Sequence, residues 1–404
     1  MTNVILFDNE VRERLLPLTY TRPVANLRIG ILTIREKWER HMNVPVFYIT
    51  QDYLAGRYPI EYEQDNFLVN ASALPSDQLC RLMWQMEQNE AFLHNGELIV
   101  ARLDDKQIER LMRDEDIHEL KGIDLEDTSF LKINYLWDIF RLNHLALEED
   151  FDLITKGRVS QAISPTNQLR NQERIFLEPG AMVECSSLNA STGPIYIGKD
   201  AEIMEGCLIR GGFALCEGSV LKMGAKIYGA TTIGPGCRIG GEVNNSVIQA
   251  NSNKGHGGYL GNSILGEWCN LGASTNISNL RNTYDEVSVW NYEDKEFQPT
   301  GLQFCGLIMG DHSKSGINTM FNTGTVVGVC ANIFGSNFPP KHIPSFSWCN
   351  NGALETYRSE KAFDMVDKVM ARRNVAFDTE ERLILIRIME DTASHRSWEN
   401  EASQ

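Results

Sequence analysis

Four short apolar runs stand in the first quarter of the chain: Val4-Ile5-Leu6-Phe7, Val44 through Ile49, Phe67-Leu68-Val69-Asn70 and Glu97 through Ala101. Each has the length of a buried strand, and Pro45 is tolerable near the start of the second. Between them, Thr33 to Met42 and Asp77 to Gln88 carry apolar residues at helical spacing. Strand–helix alternation of this kind predicts an α/β layer domain over residues 1–155. The polar stretch from Ser160 to Arg174, with its Ser-Pro and Asn-Gln pairs, reads as a linker spanning 156–175.

From Leu177 the period changes. Ile197, Ile203, Ile209, Leu215, Leu221, Ile227, Ile233 and Ile239 recur every six positions. Four residues after most of them comes a compact side chain: Ala201, Cys207, Ser219, Ala225, Thr231 and Cys237, with Phe213 the misfit. Neither a helix nor a simple strand has period six, whereas a short strand plus a tight corner does. Three such units close one coil, and each coil buries its edges by stacking on the next. The register resumes at Leu265, Leu271 and Ile277. It returns at Met309, Phe321, Val327 and Ile333, with Ser313, Thr319, Thr325 and Ala331 at the compact position. A β-solenoid over 176–345 is therefore expected. Asn244 to Gly258 and Arg281 to Thr300 read as excursions from it, the second as a projecting hairpin, and long loops on a rigid scaffold tend to carry function.

Residues 346–404 return to a helical pattern. Phe363, Val366, Val369 and Met370 share one face. Asp378 followed by Glu381 gives a capping-box-like start to a second helix carrying Leu383, Leu385, Ile386 and Met389.

Charge narrows the choice of partners. The 38 basic and 54 acidic residues leave a formal charge of −16, so nucleic acid is repelled, and no Lys/Arg-rich run reverses this locally. A small anion needs only a local basic pocket. No run approaches the roughly 18 apolar residues of a membrane span, and the start of the chain lacks a basic, apolar leader. Nine cysteines without a CxxC read as buried small residues of a reducing compartment. A cytoplasmic protein with neither a nucleic-acid nor a membrane partner is expected.

The coils and their punctuation resemble the left-handed parallel β-helix of the hexapeptide-repeat acyltransferases. A narrower resemblance is carried by Gly255-His256-Gly257-Gly258-Tyr259-Leu260-Gly261, by Leu265 through Ala273, and by Asn279-Leu280-Arg281. It continues through Thr300-Gly301 and Met309-Gly310-Asp311 to Thr325 through Gly328. These segments are similar to the bifunctional N-acetylglucosamine-1-phosphate uridylyltransferase/glucosamine-1-phosphate acetyltransferase family, with the His–Tyr–Asn spacing kept without a gap. The resemblance implies that His256 is the catalytic base, that Tyr259 and Asn270 hold the sugar, and that Asn279 and backbone amides face the thioester oxygen. Ala273 and Arg281 fall at acetyl-CoA-binding positions. The chemistry agrees: an attacking amine or hydroxyl must lose a proton, and among side chains only His titrates near neutral pH unperturbed. The family's basic residues before the catalytic His are not reproduced; Lys254 is the near substitute for substrate binding.

Leu16 through Pro23 and Tyr135 through Phe140 resemble segments of sugar-phosphate nucleotidyltransferases. Three essential pieces are altered. The loop after the first strand reads Phe7-Asp8-Asn9-Glu10-Val11-Arg12-Glu13-Arg14 instead of a Gly-rich phosphate cradle. Val24-Ala25-Asn26 replaces the expected Lys, and Ala71-Ser72 replaces the Gly-Asp that holds Mg²⁺. Arg12, Arg14, Arg22 and Asp138 are the candidates for nucleotide or sugar phosphate, surface ion pairs being the alternative. Mg²⁺ in this domain stays open. The resemblance as a whole implies acetyl transfer from acetyl-CoA to an amino-sugar phosphate such as glucosamine 1-phosphate, in nucleotide-sugar biosynthesis, by a homotrimer with its sites between prisms. The alternatives are a fully bifunctional enzyme that also transfers nucleotidyl groups, and a non-catalytic scaffold or nucleotide-sugar sensor.

Overall fold

The computed structural model describes residues 2–113, 115–125 and 130–401. Contacts divide the chain into two compact units. One takes Met1–Leu15, Arg22–Leu27 and Leu32–Tyr135; the other takes Leu16–Thr21, Arg28–Ile31 and Leu136–Gln404.

The first unit is built on a six-stranded mixed sheet. Its order is Val46–Ile49, Thr2–Phe7, Asp65–Asn70, Glu97–Leu103, Glu90–His94 and Lys121–Asp124. The first three strands run parallel, and Glu97–Leu103 runs antiparallel to both of its neighbours. Helix Ile34–Met42 starts at a full capping box between Thr33 and Glu36, and Trp38 in its middle donates its indole N–H to the carbonyl of Ala73 at 3.0 Å.

The second unit is a parallel β-helix of three faces. Face one begins at Gln168–Arg170 and includes Lys226–Tyr228, Glu242–Asn244 and Tyr259–Gly261. Face two runs from Ile175–Leu177 to His342–Ile343, and face three from Met182–Val183 to Ala353–Thr356. The period-six residues all point inward: Ile197 to Ile239 in register form one continuous core with Leu265, Leu271, Met309, Phe321 and Ile333. Burying each such side chain stabilises the stack by roughly 1.5–3 kcal/mol. Phe213, the misfit, is fully buried in the same core. The solenoid also begins earlier than its apolar repeat, because Gln168–Arg170, in the stretch read as linker, pairs with Ser187–Asn189.

Asn244 to Gly258 corrects the sequence reading. It does not leave the solenoid; it is a shortened coil whose strands Val247–Ala250 and Asn253–Lys254 stay in register. Left-handed residues Asn245 and Asn251 tighten the corners, and buried Ser246 and Ser252 donate their hydroxyls to backbone carbonyls. The segment looks polar because its corner positions are held by hydrogen bonds rather than by apolar side chains. Arg281 to Thr300 does carry an antiparallel hairpin, Ser288–Asn291 with Glu296–Pro299.

Segments outside the coils cover the outer side of face two. Asn143, at the start of helix Asn143–Thr155, accepts from the Gly30 amide at 2.7 Å and donates to the Ala230 carbonyl at 2.8 Å. Gln249 pairs with both backbone groups of Arg28. Helices Ser359–Ala371 and Thr379–Asp391 also pack on the solenoid; Arg373 reaches the Asn253 side chain at 3.0 Å. In the second helix Ile384, Leu385 and Ile388 are buried, while Leu383 and Ile386 are exposed, a face rotated from the expected one.

Candidate functional site

Lys254 occupies an inward position of face three, opposite Ile239 in the ladder, where its neighbours in register are apolar. Its side chain is 1% exposed. The ammonium donates to the carbonyls of Gly240 at 2.9 Å, His256 at 3.1 Å and Gly258 at 2.7 Å. Burial pushes its pKa down to about 8. All three protons are thus directed to carbonyls, two of them in the loop itself. Lys254 is therefore tied to the loop 255–258, whereas the resemblance implies a substrate-binding residue there.

That loop carries His256 at the corner between faces three and one. Glycine is needed on both sides of the packing. A Cβ on Gly241, at φ +74, would meet the Lys254 ammonium at 2.7 Å and the His256 carbonyl at 2.8 Å. One on Gly258, at φ +112, would run into the Thr275 carbonyl at 2.1 Å. The imidazole itself is exposed, and among the described residues no hydrogen bond orients it.

His256, Asn270 and Ala273 line one cleft of about 860 Å³ on face three. Its floor includes Trp268, which stacks on buried His312 with ring centroids 6.3 Å apart. Met365, Val369, Arg372 and Arg373 close it from the C-terminal helix. Among the described residues that line it there is no Asp or Glu.

Tyr259 and Asn279 form a second group, on face one. The Asn279 amide donates to the Tyr259 hydroxyl at 3.1 Å and to Asn262 Oδ1 at 2.7 Å. Neither lines the His256 cleft. Arg281 joins neither group; it is exposed and donates to the Glu286 carbonyl at 3.1 Å.

In the first unit the loop after the first strand closes on itself. Asp8 accepts from the Val24 amide at 2.9 Å and the Thr50 hydroxyl at 2.6 Å, and burial raises its pKa to about 6. Buried Arg12 lies 3.8 Å from Asp8 and donates to Glu13 and to the Tyr53 hydroxyl. Arg14 rests over the Tyr135 ring at 6.0 Å, and Arg22 is buried. Asp138 belongs to the other unit, where it is buried and paired with Arg141 at 2.7 Å. The sequence reading missed Glu97, which accepts from both Asn9 and Asn70 at 2.9 Å and pairs with Lys132. Asn70 at a strand end was the available signal. Among the described residues no group of three or more His, Cys, Asp or Glu side chains could hold a metal ion.

Residues 4–159 match the model of the sugar nucleotidyl transferase family. The bifunctional protein GlmU of Methanocaldococcus jannaschii is 40% identical over 87 residues, 22% of this chain and 21% of that protein. A bifunctional sugar-1-phosphate nucleotidylyltransferase/acetyltransferase of Sulfurisphaera tokodaii is 32% identical over 144 residues, 35% of each chain. The chain is similar to the GlmU proteins. GlmU of Synechococcus elongatus extends the match to 181 residues at 29% identity, 43% of this chain and 34% of the relative. The chain thus matches about a fifth to a third of the length of these relatives. Among solved structures, a UDP-N-acetylglucosamine acyltransferase from Campylobacter jejuni overlaps 55% of this chain and 80% of its own, with a TM-score of 0.28 and 14% identity. No helix among the described residues is long and apolar enough to cross a membrane.

Proposed function

We propose that this chain is an acetyl-CoA-dependent acyltransferase that acetylates an amino-sugar phosphate of the glucosamine 1-phosphate type, within nucleotide-sugar biosynthesis. The observation that carries the reading is the cleft that places His256, Asn270 and Ala273 together beneath a roof of basic residues. The donor supplies an activated thioester. His256 takes the proton from the attacking amine or hydroxyl, and Asn270 orients the sugar. The thioester oxygen gains negative charge as the nucleophile adds, and amide donors stabilise it, Asn279 by exchanging one of its bonds to Tyr259 or Asn262 for that oxygen. The acyl C–S bond then breaks, and the departing thiolate takes the proton held by His256.

We propose a homotrimer for the same reason that the site is divided. Within one chain Asn279 and Tyr259 stand on face one and His256 opens onto face three, so a neighbouring prism presenting face one would complete the constellation. Residues 1–155 are taken as a nucleotidyltransferase-type domain, followed by a linker that ends at the first solenoid strand Gln168–Arg170, the acyltransferase solenoid as far as Ala353–Thr356, and a helical segment after it. The metal chemistry of such a domain does not fit the residues here. The first loop is closed by Asp8 and Arg12, and Asp138 is paired with Arg141. A cytoplasmic location is consistent with nine free cysteines, eight of them buried.

The direct test is thiol release from acetyl-CoA by the full chain, screened over amino-sugar phosphates and nucleotide sugars. Saturable turnover with an amino-sugar phosphate is expected. Absence of acceptor-dependent release across the panel contradicts the reading and favours the scaffold.

A further inference from the structure

In a chain of net charge −16, one cleft gathers Lys222, Arg238, Lys314, Arg372 and Arg373 around His256 without a carboxylate in its lining. The cations come from two separate elements. Lys222 and Arg238 project from face three, while Arg372 and Arg373 follow the last turn of helix Ser359–Ala371. A helix C-terminus attracts cations for its own sake, which accounts for Arg372 or Arg373 alone. It does not account for solenoid residues meeting them.

The neighbours of these groups are backbone and amide oxygens. One guanidinium nitrogen of Arg238 donates to the carbonyls of Gly218 at 2.8 Å, Cys237 at 2.9 Å and Gly236 at 3.3 Å. Arg373 donates to Asn253 Oδ1 at 3.0 Å. Lys314 gives its protons to the carbonyls of Trp268 and His312. Among the described residues none of Lys222, Arg238, Arg372 or Arg373 has a carboxylate within salt-bridge distance, although Asp364 and Lys368 on the same helix form an ordinary pair at 2.6 Å. Burial, and after it the charges of Arg238 and Arg372, push Arg373 below the usual arginine range. Like charges held together without counter-charges raise the energy of the empty protein, and an anionic ligand offsets that cost.

The rest of the cleft mixes the amides Asn251, Asn253 and Asn270 with the apolar Trp268, Leu271, Ile317, Met365 and Val369. Its volume of about 860 Å³ suits a ligand of cofactor size. We infer that Arg238, Arg372 and Arg373, with Lys222, bind the phosphate groups of an elongated ligand whose reacting end lies at His256. The identity of that reacting end rests on the acyl-transfer reading; the phosphate site does not. The ligand class is a phosphate-bearing organic anion, and it has two sources in the proposed reaction: the phosphates of the acyl donor or the phosphate of the sugar acceptor.

Calorimetric titration of the full chain with CoA, 3′-dephospho-CoA, glucosamine 1-phosphate and pyrophosphate tests this. The variants are Arg372→Gln/Arg373→Gln, Arg238→Gln and the charge-keeping Arg372→Lys/Arg373→Lys, with Lys368→Gln on the same helix as control. At least one probe should bind the wild type saturably and more weakly as salt is raised. Loss of charge-assisted bonds in either Gln variant should weaken it about tenfold or more, with the Lys pair close to wild type and the control unchanged. Tighter binding of CoA than of 3′-dephospho-CoA assigns the site to the donor, whereas binding confined to glucosamine 1-phosphate assigns it to the acceptor. Failure of every probe to bind, binding insensitive to salt, or Gln variants that bind like wild type each overturn the inference. Should a Gln variant fail to fold, the wild-type salt dependence and the Lys pair still decide. If phosphate binding survives but acetyl transfer is absent, the acyl-transfer reading falls and this site stands.

Discussion

The ammonium of Lys254 lies 3.1 Å from the carbonyl oxygen of His256, inside a solenoid whose other inward residues are mostly apolar. A buried charge is costly unless it is fully hydrogen-bonded, and here it is bonded to three carbonyls. Its structural effect is to fix the loop that presents the imidazole.

Lys254→Met should keep the core filled but remove the ammonium donor from all three carbonyls, of which Gly258 retains the Glu242 amide. Acetyl transfer is expected to fall by about 10- to 100-fold, the scale of a catalytic group displaced by an ångström. The fold should persist, since a well-packed apolar side chain replaces a buried charge. Faster hydrogen exchange at Gly255 to Gly258 with little change elsewhere is the accompanying signature. Unchanged turnover and unchanged exchange would mean that the loop holds its shape without Lys254.

The division of the site between faces one and three makes its own prediction. Light scattering should give about three times the chain mass. Co-expressed His256→Ala and Asn279→Ala chains should recover acetyl transfer that neither variant shows alone, because mixed assemblies contain a site with both wild-type groups. Mixtures no more active than the single variants would place both residues in one chain's site.

His342 stacks on Trp290 with ring centroids 4.2 Å apart, and Tyr292 and His395 meet it edge-on. Burial, and after it the charge of His395, push its pKa down to about 3. The unfolded chain therefore binds a proton below about 6.5 that the folded chain refuses until about 3. Stability attributable to this group is complete above pH 6.5 and is lost as pH falls toward 3, at up to about 1.4 kcal/mol per pH unit. Denaturant unfolding at pH 6.5 and pH 4.5 should show a shallower acid loss in His342→Gln than in wild type. Equal losses would assign the acid sensitivity to other groups.

The sequence spoke plainly wherever structure is periodic. Ile203, Leu221 and Ile239 announce face three because nothing but burial selects them. It was silent where polar residues are buried on hydrogen bonds. Ser246, Ser252 and Lys254 made a shortened coil look like a loop, and Asn143 and Gln249 gave no hint that they close on the solenoid unit's own backbone. His256 and Asn270 were legible from their motif, and the cleft does bring them together. The basic roof was not, because Arg372 and Arg373 are more than a hundred residues from His256 and look like any helix C-terminus.

The first unit should show little Mg²⁺-dependent uridylyltransferase activity. Its first loop holds Asp8 and Arg12 where phosphate would be cradled, and nucleotidyl transfer depends on amides, cations and metal to neutralise charge. Pyrophosphate release from UTP and N-acetylglucosamine 1-phosphate should stay well below about 1 s⁻¹, the low end for ordinary enzymes. Turnover at or above that rate would show a working rearranged site.

A general base of acetyl transfer at His256 is tested by the rate of acetyl-CoA consumption in His256→Ala. The rate should fall roughly 10²- to 10⁴-fold, the usual worth of such a group, with melting temperature and oligomeric mass unchanged, because the exposed imidazole takes part in no hydrogen bond among the described residues. Turnover within a few-fold of wild type would contradict that role, leaving His256 a loop residue and the base elsewhere.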